Sequence, residues 1–303
     1  MIVFSVLICT YNRPDMLAIA LHALIERTNE KPDQIVVVNG GDDRSDPLVR
    51  KYMDRSDIKV ELVKTINKNL ATSRNIGLAQ CSGDIVAMTD DDAEVFPDWV
   101  TQMKKAHADH PEAGCVGGVV LGAGSEKNFL NRIADFSVLP SPRVPKYVRT
   151  LPGVNVSYKK AVLQQVGLQD ETLFRSEDVD FNWRVKLLGY EIYFDPGIKV
   201  LHYHRPTINL LINQFYMYGR AYYLVRRKWP DIYCVYPHQI SRVKDVLKLF
   251  YFLVSPLVEP VITALKMSAW YDRIAAVPVL FALHIAWKSG MAVQKFKYSM
   301  KTQ

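Results

Sequence analysis

Three consecutive carboxylates, Asp90-Asp91-Asp92, stand directly behind the apolar run Ile85-Val86-Ala87-Met88-Thr89. Like charges this close repel one another unless water or a cation neutralises them, and carboxylate oxygens suit hard divalent cations such as Mg2+ and Mn2+. The first and third, Asp90 and Asp92, form a D-x-D spacing. The apolar run reads as a strand, so the carboxylates fall where the chain turns at its carboxyl end. Open α/β sheets bind ligands at that edge. Taken alone, the run fits a solvated acidic turn capping the next helix equally well.

Four other segments carry groups that could act with it. Cys9-Thr10-Tyr11-Asn12-Arg13 closes the first apolar run with an aromatic ring and hydrogen-bonding groups suited to a nucleobase. Arg74 offers a cation for a phosphate or for a surface ion pair. Ser176-Glu177-Asp178-Val179-Asp180 puts three carboxylates in the first turn of a helix that Ser176 could cap, where the helix dipole favours negative charge. That dipole lowers a carboxylate pKa, so a general base there needs an apolar or anionic setting to raise it again. Val200-Leu201-His202-Tyr203-His204 ends a strand with two histidines on one side, and either could complete an oxygen-rich metal site or serve only the fold.

The elements that must position these groups alternate in kind. Val3–Cys9 reads as a buried strand, with Asn12 as cap and Pro14 in the first turn of a helix bearing Leu17, Leu21, Leu24 and Ile25. Strands follow at Gln34–Val38, Val60–Val63 and Ile85–Thr89, and helices at Ala71–Gln80 and Phe96–His110. Such alternation implies a mostly parallel sheet. Cys115–Leu121 is strand-like. Ser125–Arg149, with Pro140, Pro142 and Pro145, reads as a long loop of the kind that forms lids. A strand at 153–158, helices at Lys160–Val166 and Glu177–Leu188, and short strands at Ile192–Phe194 and Val200–Tyr203 complete this part.

Composition separates the last third from the rest. Hydrophobic residues make up 49% and charged residues 23% of 303, which excludes a disordered chain. Cys9, Cys81, Cys115 and Cys234 form no C-x-x-C pair, which argues against a zinc site or a disulfide framework. The chain opens on a strand pattern rather than a secretory signal, so the expected compartment is the reducing cytosol. Residues 205–303 carry +10 of charge, leaving −3 for residues 1–204 out of the total of +7. Such asymmetry points to an anionic partner surface. Val243, Val246, Leu247, Phe250, Leu253, Val254 and Leu257 share one helical face beside Arg242, Lys244 and Lys248, and a 14-residue apolar run spans Ile274–Trp287. Pro256, Pro260 and Pro278 interrupt both. A membrane span wants about 20 apolar residues, so basic amphipathic helices lying in a membrane interface are the expectation, with packing on the body or a dimer interface as the alternatives.

Taken in order, Thr10-Tyr11-Asn12, Asn39-Gly40-Gly41, Ser73-Arg74-Asn75, Asp90-Asp91-Asp92, Gly117-Gly118, Gly153-Val154-Asn155, Glu177-Asp178 and His202 resemble the family 2 glycosyltransferases of GT-A fold, over roughly residues 3–205. The resemblance implies an α/β catalytic domain at 1–205, Rossmann-like, with a mostly parallel central sheet and helices on both faces. Its nucleotide-sugar half would cover about 1–120 and its acceptor half about 121–205. A helical, basic amphipathic region would follow at 206–303. The implied activity is an inverting transfer from a nucleotide-diphosphate sugar to a hydroxyl of a glycan, lipid-linked or polymeric acceptor.

By the same resemblance, Asp92, Asp90 and His202 would hold Mn2+ or Mg2+, with His204 as the fallback ligand. Thr10, Tyr11, Arg13, Asn39, Arg74, Asp90 and Asp91 would bind the donor, and Gly153, Asn155 and Glu177 the acceptor. Asp178 would be the catalytic base. Two departures stand out: Asn39, where the family usually has the Asp that reads a uracil or thymine imide, and the acidic pair Asp42-Asp43. The amide oxygen of Asn39 can accept the same bond, but its NH2 would also donate, so the base need not be uracil.

A non-catalytic nucleotide-sugar-binding scaffold is the alternative, and the intact Asp178 and His202 speak against it. A nucleotidyltransferase would open with a glycine-rich phosphate loop, and Cys9–Pro14 has no glycine. The expected setting is the cytosolic face of an anionic membrane, with homo-oligomer formation through the C-terminal region open. Nucleic acid is not the expected partner, despite Arg226-Arg227-Lys228-Trp229.

Overall fold

A computed structural model describes residues 2–42, 44–54, 57–138, 142, 144–232 and 243–301. The sequence readings at Asp43, Pro140, Cys234 and Arg242 fall outside the described residues. The chain divides into two compact units, residues 1–123 with 141–203, and residues 124–140 with 204–303.

In the sheet of the first unit, β1 (Phe4–Thr10), β2 (Gln34–Asn39), β3 (Lys59–Lys64) and β4 (Ile85–Asp90) pair in parallel in the order β3-β2-β1-β4. Of these, β1, β2 and β4 are apolar and buried on both faces. Parallel strands need crossovers of a dozen or more residues. Here these carry α1 (Pro14–His22, continued by a π-helical turn at Ala23–Arg27), α2 (Ser45–Met53) and α3 (Leu70–Leu78). Pro14 opens α1 as expected, but Asn12 does not cap it: the flanking residue is Arg13, and no side chain caps the helix. Asn69 caps α3, its Oδ1 accepting from Thr72 N at 2.9 Å.

The second half of the sheet is mixed. β5 (Ala93–Val95) precedes α4 (Trp99–Asp109) and β6 (Ala113–Gly122), and α5 (Phe129–Ser137) belongs to the other unit. β7 (Lys146–Tyr147), β8 (Val156–Lys159), α6 (Lys160–Val166), α7 (Glu177–Leu187) and β9 (Glu191–His202) follow. The expected parallel pairing holds for β3-β2-β1-β4 and for β6 with β9. β8 enters antiparallel between β4 and β6, and β5 and β7 run antiparallel to β9. β9 is one strand where the sequence suggests two, because the Pro196-Gly197 break is absorbed by a register shift opposite Gly118 and Val119.

The second unit is helical, formed by α5 with α8 (Ile208–Lys228), α9 (Val243–Leu265) and α10 (Trp270–Lys301). The expected long loop therefore contains a helix. Asn128 caps α5 by accepting from Leu130 N at 2.9 Å, and Ile133 and Ala134 are buried. Arg132 of α5 makes a two-pronged ion pair to Asp272 of α10, at 2.7 and 2.9 Å. α8 and α10 approach closely, since a Cβ at Gly219 would lie 1.8 Å from the Trp287 carbonyl and one at Gly290 would lie 2.0 Å from that of Tyr216.

Pro256, Pro260 and Pro278 lie inside helices rather than ending them. As a result α9 and the 270–300 part of α10 are long and apolar enough to cross a membrane, with only 22% and 33% of their most apolar windows buried. The short runs read from sequence underestimate both helices. The predicted apolar face of α9 is genuine and exposed, Val243, Leu247, Phe250, Leu253 and Leu257 among it.

Candidate active site

The carboxyl ends of three strands are brought level by the sheet register, Thr10 opposite Asn39 and Cys9 opposite Asp90. Asp90 ends β4, and Asp91 and Asp92 form the turn into β5. β5 then pairs with the end of β9, Ala93 opposite His202, while Tyr203 N donates to the Asp92 carbonyl at 3.0 Å. That register sets His202 Nε2 3.3 Å from Asp92 Oδ1. Asp90, Asp92 and His202 each offer a ligand atom, and these atoms lie within 4.8 Å of one another. Two carboxylates and an imidazole so gathered fit a divalent cation such as Mn2+.

The three carboxylates sit in different surroundings. Asp91 is fully buried, its Oδ2 accepting from Thr10 Oγ1 at 2.7 Å and its Oδ1 paired with Arg13 at 2.5 Å. Burial outweighs the pull of Arg13 and pushes its carboxyl up to about 7. Burial also works to raise Asp92, but the bonds and charges of His202 and Arg13 more than offset it and hold that carboxyl well below the usual range. Asp90 is partly exposed and pairs with Arg74 at 3.1 Å. The Arg13 guanidinium spans the other two, 2.5 Å from each, with 38% of its side chain exposed.

Arg74 is almost completely buried. It joins Asp90 to Glu177 of α7, 2.7 Å away, and these two carboxylates overcome burial to raise its pKa. Gly153 packs on the guanidinium so closely that a Cβ there would come within 2.6 Å of both terminal nitrogens. The N–H of Gly153 donates to Asp178 Oδ2 at 3.1 Å, and Val179 N donates to Oδ1 at 2.8 Å. Burial raises the Asp178 pKa despite Arg74 and these two donors, with Asp90 adding to the rise. The low-pKa setting expected of a first-turn carboxylate is thereby reversed.

Several expected contact residues make hydrogen bonds or ion pairs within the protein. Asn39 is fully buried, its Nδ2 donating to Asp46 at 2.6 Å and its Oδ1 accepting from Gly41 N at 2.8 Å, so its amide faces protein rather than an open surface. Asn155, expected at the acceptor, is buried and spends its groups on Val119, Ile198 and Trp99. Glu177 is committed to Arg74. His204, the fallback ligand, bonds Asp135 at 2.9 Å within the second unit. Ser176 makes no side-chain cap to α7. Tyr11 is exposed.

Among the described residues only Asn12 (φ 53°) and Ser176 (φ 60°) are non-glycines with positive φ, and both flank the site. Strained backbone of this kind gathers at functional sites. Sequence reading missed α2, whose Asp46 holds Asn39 and, with Asp42, pairs with Lys64 at 3.1 and 3.4 Å. Those pairs give Asp42 a partner. The Ser45-Asp46-Pro47 start signal could have found the helix.

An α/β sheet ends here in an acidic turn, with an imidazole, a buried arginine and a partly exposed one around it. Residues 5–167 match the profile of Glycosyl transferase family 2, and the chain belongs to that family. The glucosyl-dolichyl phosphate glucuronosyltransferase of Haloferax volcanii is 26% identical over 213 residues, 68% of each chain. The poly-β-1,6-N-acetyl-D-glucosamine synthase of Staphylococcus aureus is 27% identical over 63% of this chain and 47% of its own, so the chain spans about half of that relative. Among solved structures, the mannosyltransferase PcManGT from Pyrobaculum calidifontis in complex with GDP-Man and Mn2+ aligns with a TM-score of 0.66 and 16% identity, over 97% of this chain and 87% of that one. GalNAc-T7 with UDP, GalNAc and Mn2+ aligns with a TM-score of 0.58 and 17% identity, over 77% and 49%. The fold is the GT-A fold of these glycosyltransferases.

The seating of Gly153 on a guanidinium locked by two carboxylates leaves no room for a methyl group. Gly153→Ala should cost about 1–3 kcal/mol by overpacking, read by urea denaturation, and unchanged stability would mean that Arg74 is free to move aside.

Proposed function

We propose that the chain transfers a sugar, with inversion, from a nucleotide-diphosphate sugar to a hydroxyl of a glycan or lipid-linked acceptor, with Asp178 as general base. The observation that carries this reading is the pairing of two sites across Arg74: the acidic turn at Asp90–Asp92 and, beyond Glu177, a carboxylate of raised pKa. Asp90, Asp92 and His202 would hold a divalent cation, which when bound supplies charge stabilisation to the departing diphosphate. Thr10, Tyr11 and Arg13 would line the donor. The complexes of PcManGT with GDP-Man and Mn2+ and of GalNAc-T7 with UDP and Mn2+ support both the metal and the class of donor. The dolichyl phosphate in the name of the Haloferax relative supports a lipid-linked acceptor.

In this reading the acceptor oxygen forms its bond to the anomeric carbon as the bond to the diphosphate breaks, and its proton passes to Asp178. A single displacement of this kind inverts the configuration. Gly153 N and Val179 N fix both oxygens of the base, so the carboxylate need not reorient to receive the proton.

The basic C-terminal third and the exposed apolar face of α9 support attachment to the cytosolic face of an anionic membrane. Near such a surface each cation contributes about 1 kcal/mol.

Asp178→Asn should abolish transfer while leaving nucleotide affinity within about threefold, since the base acts only on the acceptor side; lost nucleotide binding would make the residue structural. Because the pKa of Asp178 is raised, the protonated, inactive form persists above the ordinary carboxylate range. The acid limb of kcat/KM should therefore fall at a pH above about 4. In flotation assays the chain should rise with phosphatidylserine vesicles at low salt and progressively less as salt increases, whereas failure to float at any salt would remove the membrane assignment.

A further inference from the structure

The Arg13 guanidinium holds one oxygen of Asp92, a carboxylate that the candidate cation site shares, and one of its neighbour Asp91. Its NH1 lies 2.5 Å from Asp92 Oδ2 and its NH2 lies 2.5 Å from Asp91 Oδ1, while the other oxygen of Asp92 faces His202 at 3.3 Å. Both oxygens of Asp92 therefore have protein partners. Arg13 also differs from Arg74, the second arginine of the cluster. Arg74 has 4% of its side chain exposed, with Gly153 packed on it, whereas 38% of the Arg13 side chain is exposed. The Arg13 backbone is held between Asn12, at φ 53°, and Pro14 at the start of α1, so any movement of the guanidinium is a side-chain rotation.

We infer that Arg13 is a displaceable counter-ion that makes metal binding depend on the nucleotide diphosphate. The inference rests on the metal site proposed above. A divalent cation on Asp92 places two positive charges against the guanidinium, so the two compete for one carboxylate. Metal alone must expel Arg13 into water and gains little. When a diphosphate accompanies the metal, the freed guanidinium has an anion to receive it, in the two-pronged geometry that arginine makes with phosphate oxygens. Arg13 thus selects a diphosphate together with its metal over either part alone, and its own charge lies against both Asp91 and Asp92.

The test is calorimetric titration of the full chain with MnCl2, alone and in the presence of saturating GDP or UDP. In the unmodified protein Mn2+ alone should bind weakly, and one of the nucleotides should tighten it by about tenfold or more, within the usual range of coupling between ligands. Arg13→Gln should tighten Mn2+ alone by a similar factor of about ten and lose most of the gain from the nucleotide. Arg13→Lys, which retains the charge, should stay near the unmodified protein for Mn2+ alone and guards against a folding defect in the glutamine variant. Unchanged or weaker Mn2+ binding in Arg13→Gln, with nucleotide-dependent binding intact in the unmodified protein, would overturn the counter-ion role and leave the metal site standing. No Mn2+ binding in any variant, with or without nucleotide, would overturn both.

Discussion

Everything at this site follows from the crowding of negative charge behind β4. Three carboxylates within three residues, two of them buried, need partners that offset their charge, and the fold supplies these from three directions. Arg13 comes from the loop after β1, Arg74 from α3, and His202 from the last strand. Each is delivered by rigid backbone rather than by a long flexible arm. The parallel register of β1 and β4 sets the first, and the antiparallel register of β5 and β9 sets the last. The acidic turn is consequently not a solvated cap. It is the centre around which both halves of the sheet are tied.

Arg74 carries that constraint across to α7. Because it binds Asp90 and Glu177 at once, the position of the acidic turn and the start of α7 are fixed relative to each other. Asp178, one residue further on, inherits this placement, and Gly153 sets its outer oxygen while packing on the same guanidinium. An uncompensated buried carboxylate costs several kcal/mol, so the Glu177–Arg74–Asp90 chain holds together only as a whole. Its consequence for Asp178 is a carboxylate held in place, yet only partly compensated and so still basic.

Much of this was legible in the sequence where a residue type and a strand end coincide. The apolar runs of β1, β2 and β4 announce themselves, Asp90 and Asp92 follow the last of them, Asp178 opens α7 and His202 ends β9. What stayed hidden depends on register and side-chain pairing. Nothing in Ala93-Glu94-Val95 says that three residues will form a strand against β9, yet that pairing is what brings His202 to Asp92. Asn39 and Asn155 resemble ligand contacts by motif, and only their burial reveals that their hydrogen bonds are spent within the protein. The C-terminal prolines suggested breaks, but in α9 and α10 they are tolerated inside long helices. Pro140, Pro142 and Pro145 likewise masked the cap and apolar spacing of α5.

The central claim is that the acidic strand end, with Arg13, Arg74 and His202 around it, binds a nucleotide diphosphate together with a metal. Thermal unfolding with UDP, GDP, dTDP and CDP, each with and without Mn2+, tests it most directly. A ligand at a hundredfold excess over its Kd stabilises the folded state by about 2.7 kcal/mol. The account predicts that at least one nucleotide raises the Tm only when Mn2+ is present, and that Asp92→Ala abolishes the rise. A shift that is independent of the metal, or no shift with any nucleotide, would contradict it.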